Sequence, residues 1–264
     1  MTTVREATAI LAAAGVPSAQ HDAEVLLRHA AATRTNSADL LAARAARVPL
    51  QHLVGSAGFR YLDIDVGPGV FVPRPESELL VDAVLTVVRD VDVPLIVDLC
   101  AGSGAIGLSV AHECPAATVH LVERSPAAYQ WLERNAANLG AEHRVHLHLA
   151  DLVDAPAGVD GTVDVVVCNP PYVAHDERDL VDPEVRDHDP GEALWAGDDG
   201  LDVIRAVAGR AMALLRPGGT AVVEHSDRQG ELAPRELRAA GFVDVVDHND
   251  LADRPRFTVG SRPC

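Results

Sequence analysis

The chain has 264 residues, almost half of them apolar, which suffices for one large α/β domain and a small extra one. Acids outnumber bases 39 to 22, giving a net charge of −17, and every base is arginine. Without a single lysine, a P-loop ATPase and a Schiff-base enzyme are excluded, and the net-negative surface opposes a bare phosphate backbone.

No apolar run approaches the ~18 residues of a membrane span, and the opening Met1-Thr2-Thr3-Val4-Arg5-Glu6 has no signal-peptide core. Cys100, Cys114, Cys168 and Cys264 show neither C-x-x-C spacing nor a histidine pair at zinc spacing. The expectation is a soluble, cytoplasmic protein with reduced thiols and no bound metal. His143, His146 and His148 come nearest to a metal cluster, but His146 and His148 read better as one face of a solvated strand.

Residues 2–48 read as helices. Gly15-Val16-Pro17 stops the first, and Ser18 and Ser37 are candidate N-caps for the next two. Residues 49–74 change character: Phe59, Tyr61, Ile64, Val66, Val70 and Val72 among Gly55, Gly58, Gly67 and Gly69 predict a short β-hairpin. Residues 1–72 are thus a helical cap with a hairpin linker, and 73–264 a second domain. There the pattern alternates: helix 75–90, strand 95–97, helix 103–112, strand 119–122, helix 126–138, strands 145–149 and 163–168, helix 199–214, strand 220–224, helix 229–240, and strands near 242–247 and 256–260. Short β-rich runs separated by helices imply a mainly parallel, doubly wound sheet. The last two strands have no helix between them, so one should enter antiparallel.

At the tip of the first of these strands stands Asp98-Leu99-Cys100-Ala101-Gly102-Ser103-Gly104, where open parallel sheets bind ligands. Gly102 and Gly104 allow a tight turn and close backbone approach. The next strand ends at Glu123, nineteen residues beyond Gly104, where a carboxylate can accept both hydroxyl hydrogens of a ribose. The run Gly102 to Gly107 also satisfies the dinucleotide pattern G-x-G-x-x-G, a weak signal alone. Asp98 tips the choice to S-adenosylmethionine, because an acid there repels a pyrophosphate but suits a cationic amino group. Asp151 is either an adenine ligand or a helix cap, with Leu152 placed to pack on the ring.

Asn169-Pro170-Pro171-Tyr172, after the strand 163–168, is the more specific signal. An amide or aromatic amine nitrogen is a poor nucleophile because its lone pair is delocalised. Two acceptors that bind its N–H groups can fix its plane and direct density toward an incoming methyl group. The Asn169 side-chain oxygen is one acceptor and the Pro170 carbonyl the other, on a loop stiffened by two prolines. Tyr172 offers a flat face. No strong base is required, so positioning and electrostatics carry the rate.

Methyltransferases of adenine, guanine and protein glutamine share this tetrapeptide. The segment Phe71-Val72-Pro73-Arg74-Pro75-Glu76-Ser77-Glu78-Leu79-Leu80-Val81 resembles that of the HemK/PrmC glutamine methyltransferases. So do Gly55, Glu184-Val185-Arg186, Asp189-Pro190, Ala193-Leu194, Gly197 to Leu201, Arg216-Pro217-Gly218-Gly219 and Glu224-His225. The resemblance runs from about residue 50 to the C-terminus. It implies a Rossmann-like class I fold with a seven-stranded sheet, S-adenosylmethionine as cofactor, and a protein glutamine as methyl acceptor. It further implies that Asn169, Pro170, Pro171 and Tyr172 hold the amide, that Phe71 and Arg74 line its pocket, and that residues 100–104, Glu123 and Asp151 contact the cofactor.

The chain departs from the family pattern twice. Cys100 stands where the family has glycine, an exchange that a negative φ would accommodate. The cap is short and Ala-rich, so the chain is similar to an actinobacterial-type relative whose target need not be a release factor. The expected partner is a basic protein carrying the glutamine, bound by a monomer, with no nucleic acid or membrane involved. In the loop 174–193, Asp176, Glu177, Asp179, Asp182, Glu184, Asp187, Asp189 and Glu192 stand against only Arg178 and Arg186, so it reads either as a surface that attracts this basic partner or as a solvated loop whose acids aid solubility. The rivals are a nucleic-acid adenine or guanine methyltransferase, which would need a basic groove, and a cofactor-binding scaffold without turnover. An NAD-dependent oxidoreductase lacks any hydride-transfer constellation.

Overall fold

A computed structural model describes residues 2–154 and 156–264. Four helices form the cap: α1 (Val4–Ala13), α2 (Ala19–Thr33), α3 (Ser37–Ala45) and α4 (Leu50–Val54). A capping box starts α1, with the Thr3 side chain accepting the Glu6 N–H and the Glu6 carboxylate accepting the Thr3 N–H. The expected cap Ser37 is instead the first helical residue of α3. Asn36 caps that helix by accepting the Ala38 N–H. At α2, Ser18 holds the cap position, but its hydroxyl bonds Asp22 rather than a backbone N–H. Ala7, Leu11, Ala23, Leu26 and Leu41 form the small core of the cap.

The run read as hairpin first makes α4, which Gly55 ends in a left-handed turn at φ +85. Antiparallel β1 (Ser56–Phe59) and β2 (Leu62–Asp65) follow. Phe59, Ile64, Val66, Val70 and Val72 pack into the core of the large domain, not that of the cap. Packing is therefore continuous across residues 72 and 73.

A 3-10 turn, Pro75–Ser77, leads into α5 (Glu78–Val87). The chain then runs through β3 (Leu95–Leu99), α6 (Ala105–Glu113), β4 (Thr118–Glu123), α7 (Pro126–Leu139), β5 (Val145–Leu149) and β6 (Val163–Cys168). It ends with α8 (Pro183–His188), α9 (Asp202–Leu214), β7 (Leu215–Glu224), α10 (Leu232–Ala239), β8 (Val243–Asn249) and β9 (Pro255–Ser261). The sheet order is β5-β4-β3-β6-β7-β9-β8, parallel except for β9, which runs against both neighbours. This is the Rossmann-like class I arrangement.

Alternation along the central strands buries both faces. Ile96, Val165 and Val167 meet α5, α6 and α7, while Val97, Val166 and Cys168 meet α9 and α10. The order reverses beside β3, so the loops after β3 and β6 diverge and leave a crevice between them. No helix among the described residues is long and apolar enough to cross a membrane. His146 and His148 do share a face of β5. There His148 Nε2 lies 2.9 Å from Nδ1 of His120 on β4, and His143 sits in the preceding turn.

Candidate active site

A cavity of about 310 Å³ opens at the crevice. The β3 loop enters it through Cys100, Ala101, Gly102 and Ser103, β4 through Glu123, and the segment after β6 through Asn169, Pro170, Pro171 and Tyr172. Phe71, Arg74 and Leu152 also line it. Thus most of the residues expected to bind cofactor or acceptor are brought together by strand tips that lie far apart in sequence.

On the β3 side the backbone makes the cradle. Gly102 and Gly104 take φ +57 and +87. A Cβ on Gly104 would stand 2.6 Å from Leu132, so this glycine packs the turn against α7 and the wall is made by its neighbours. Cys100 also adopts a left-handed φ, +60, so the negative φ that would accommodate its exchange for glycine is not met. The loop path demands that conformation, and a residue with a Cβ holds it at a cost of about 1 kcal/mol.

The Glu123 carboxylate accepts the Gly102 N–H at 2.8 Å and the Ser125 N–H at 2.7 Å, and burial raises its pKa. Each oxygen has one lone pair held by backbone and another left for the cavity, a donor set that matches a vicinal diol.

Besides Gly104, two further residues expected at the cofactor lie outside the cavity lining. Alternation along β3 turns Asp98 under α6, outside the cavity wall. Its Oδ2 accepts the Gly107 N–H at 2.9 Å, its Oδ1 has no partner, and burial pushes its pKa up to about 8. A Cβ on Gly107 would meet this carboxylate at 2.9 Å, so the last glycine of the motif serves helix–strand packing. Asp151 is exposed and accepts the Val153 N–H in a turn, and since no helix starts there among the described residues it is not a helix cap. The cavity wall receives its neighbour Leu152 instead.

On the other side, two residues missed from the sequence orient Asn169. Its Nδ2 donates to Ser77 Oγ at 3.1 Å, and Ser77 Oγ donates to Glu224 Oε2 at 2.6 Å. Because a hydroxyl has one hydrogen, Ser77 must accept from Asn169 while it donates to the carboxylate. That leaves Asn169 Oδ1 as the group available to the cavity. Glu224 is 2% exposed at the end of β7, and burial raises its pKa to about 7. An acid closing an apolar strand beside the motif was the only hint the sequence held.

Arg74 lies over the Phe71 ring at 4.9 Å and donates to Asp189 at 2.7 Å, pinning the 174–196 segment over the cavity. Asp189 is buried, which lifts its pKa to about 6 despite Arg74. Arg44 and Arg47 of the cap pair with Glu184 and Asp182, Arg228 with Glu177, and Arg186 with Asp187. The loop is therefore no bare acidic face. Most of its acids are neutralised by this chain's own arginines, chiefly those of the cap and of Arg74.

The Methyltransferase small domain model matches residues 46–183. A Streptomyces coelicolor protein named release factor glutamine methyltransferase is 46% identical over 98% of this chain and 96% of its own length. Namesakes from Mycolicibacterium smegmatis and Deinococcus radiodurans are 43% and 37% identical, covering 99% and 97% of this chain and 97% and 96% of theirs. The chain belongs to the release factor glutamine methyltransferase family, HemK/PrmC.

Among solved structures, a Thermus thermophilus 16S rRNA methyltransferase in complex with AdoMet and guanosine superposes at TM-score 0.51, with 18% identity over 79% of this chain and 44% of that one. A Thermotoga maritima O-methyltransferase gives 0.52, with 12% identity over 74% and 67%. These likenesses concern the fold. This family member is an S-adenosylmethionine-dependent methyltransferase. Its glycine cradle, the Glu123 carboxylate and the apolar wall at Leu152 fit that cofactor.

Proposed function

We propose that this methyltransferase modifies the side-chain amide nitrogen of a glutamine in a protein, a peptide chain release factor. The observation that carries the reading is the placement of Asn169 in the cavity that holds Glu123, with its Nδ2 tied back on Ser77 and its Oδ1 left to accept. S-adenosylmethionine supplies a methyl group already activated on a sulfonium. The chain's own part is to hold the acceptor. Asn169 Oδ1 and the Pro170 carbonyl take the two amide hydrogens, and Tyr172 and Phe71 flank the amide plane. With the nitrogen fixed in line with the methyl group, orientation supplies the rate, and the proton the nitrogen gives up on forming its new bond to carbon leaves through the Asn169 Oδ1 and Pro170 carbonyl acceptors to solvent, so no strong base is needed.

The Arg74–Asp189 bond keeps the 185–194 wall closed against water. A basic partner segment can still approach Asp176, Asp179 and Glu192, which are exposed near this wall. The test is transfer of labelled methyl from cofactor into a bacterial lysate and into an unmethylated release factor, with nuclease and protease arms. Label that resists nuclease, disappears with protease and maps to a glutamine side chain supports the reading; label lost to nuclease overturns it.

A further inference from the structure

We infer that Glu224 is a positioning residue that acts through Ser77 to fix which end of the Asn169 side chain faces the methyl acceptor. The inference rests on the proposed role of Asn169 as acceptor of the target's amide hydrogens. An asparagine amide is nearly symmetric in shape, so packing alone scarcely distinguishes Oδ1 from Nδ2. Rotated by half a turn, Asn169 would present donors to a group that itself has only donors to offer. The site needs something to choose, and a chain of two hydrogen bonds does so. A carboxylate can only accept, Ser77 must then donate to it, and Ser77 can then only accept from Asn169.

The chain spans distant segments, with Ser77 ninety-two residues before Asn169 and 147 before Glu224, so it exists only in the folded protein. Ser77 is 3% exposed, and no bulk water competes for these bonds.

The direction depends on the charge of Glu224. Protonated, its O–H can donate to Ser77, whose own hydrogen is then free to donate toward Asn169. The preference for Oδ1 facing the cavity is then lost. Four neighbouring groups act on Glu224 besides Ser77. Arg256 of β9 favours the carboxylate, as does the Tyr172 hydroxyl of the motif, while Glu76 of the 3-10 turn opposes it; Cys168 at the end of β6 is a neutral thiol. Burial outweighs the favourable pair and places the Glu224 pKa at about 7. The ordered, active arrangement therefore belongs to the high-pH side of that value.

The full-length protein tests this with two readouts. In protein labelled with 15N-asparagine, the Asn169 side-chain signal, identified by its loss in Asn169→Asp, should shift with a midpoint near pH 7. The shift should be absent in Glu224→Gln, which cannot titrate. In single-turnover transfer at saturating cofactor, with unmethylated release factor as acceptor, the rate should rise through the same pH range. Ser77→Ala should lower the plateau roughly tenfold or more and lose the acidic limb, with cofactor affinity within about twofold of wild type. Ser77→Thr, which keeps the hydroxyl, should restore both.

An Asn169 signal that ignores pH, or a Ser77→Ala enzyme with the wild-type rate and pH profile, overturns the inference. An Asn169→Ala enzyme that turns over normally while the Asn169 signal of the parent still titrates counts against the acceptor role instead. The two failures are therefore distinguishable.

Discussion

On the proposed reading, the cofactor wall of the cavity takes its polar groups from the tips of two adjacent strands, β3 and β4, all within residues 100–125. The amide wall draws on the 71–77 segment, the tetrapeptide after β6, the 185–194 strap and the end of β7. The first is set by backbone: a glycine turn and a carboxylate held by two N–H groups. The second is set by side chains that hold one another across the fold, as Asn169, Ser77 and Glu224 do, or Phe71, Arg74 and Asp189. A backbone-built wall tolerates the loss of one side chain with a graded drop in binding. A wall of mutually oriented side chains fails at a single link.

The largest expected effect is on the amide side. Asn169→Ala should reduce turnover ~100-fold or more with cofactor affinity near wild type, because Asn169 orients the acceptor rather than holding the cofactor. Single-turnover rates beside calorimetric titrations check both halves of that statement; a rate within a few-fold of wild type would break the comparison.

Next comes the strap that closes the amide wall. Arg44 is buried between Asp22 of the cap and Glu184 at the edge of the strap, so Arg44→Ala strands the buried Asp22 carboxylate beside a half-buried Glu184 and should destabilise the protein by about 3 kcal/mol in urea unfolding. On the cofactor side the effect should be smaller. Glu123→Ala should weaken S-adenosylmethionine binding by ~10-fold, the loss of a charged two-point contact, and unchanged affinity in a folded variant would remove Glu123 from the site.

How much of this the sequence exposed follows the same division. Gly102, Gly104 and Glu123 were legible because strand tips and turn geometry confine their roles to a short stretch. The position of Asp98 under α6, outside the cavity lining, follows from the alternation of β3, which its place in the motif does not reveal. The mainly parallel sheet and an antiparallel strand among the last two followed from the spacing of elements, whereas α4 was hidden inside a glycine-rich run that reads as hairpin. Ser77 and Glu224 carry no local signature, since their partners lie on other segments. The acids of the 174–193 loop looked free for the same reason: Arg44, Arg47 and Arg74, which neutralise several of them, are more than a hundred residues away.

A milder effect follows from the buried acids. Burial raises the pKa of Asp98, Glu224 and Asp189 to about 8, 7 and 6. The folded protein thus holds these protons more tightly than the unfolded chain, whose carboxylates titrate near ~4. Their contribution to stability is complete below that value and is lost as pH rises through about 6 to 8. The melting temperature should fall across this range, and Asp98→Asn should flatten the upper part of the fall; a Tm rising with pH there would contradict the assignment. The smallest effect is at Cys100. Relief of its left-handed strain by Cys100→Gly, offset by the extra freedom of glycine when unfolded, should shift stability by less than ~1 kcal/mol and leave cofactor affinity unchanged.

The independence of the two walls is tested most directly by measuring single-turnover rate against S-adenosylmethionine concentration for Glu123→Ala and Asn169→Ala side by side. The Glu123→Ala curve should shift to ~10-fold higher concentration and reach the wild-type plateau. The Asn169→Ala curve should keep its midpoint and plateau ~100-fold lower. Two curves that lose midpoint and plateau together would show that the walls act as one unit and contradict the account.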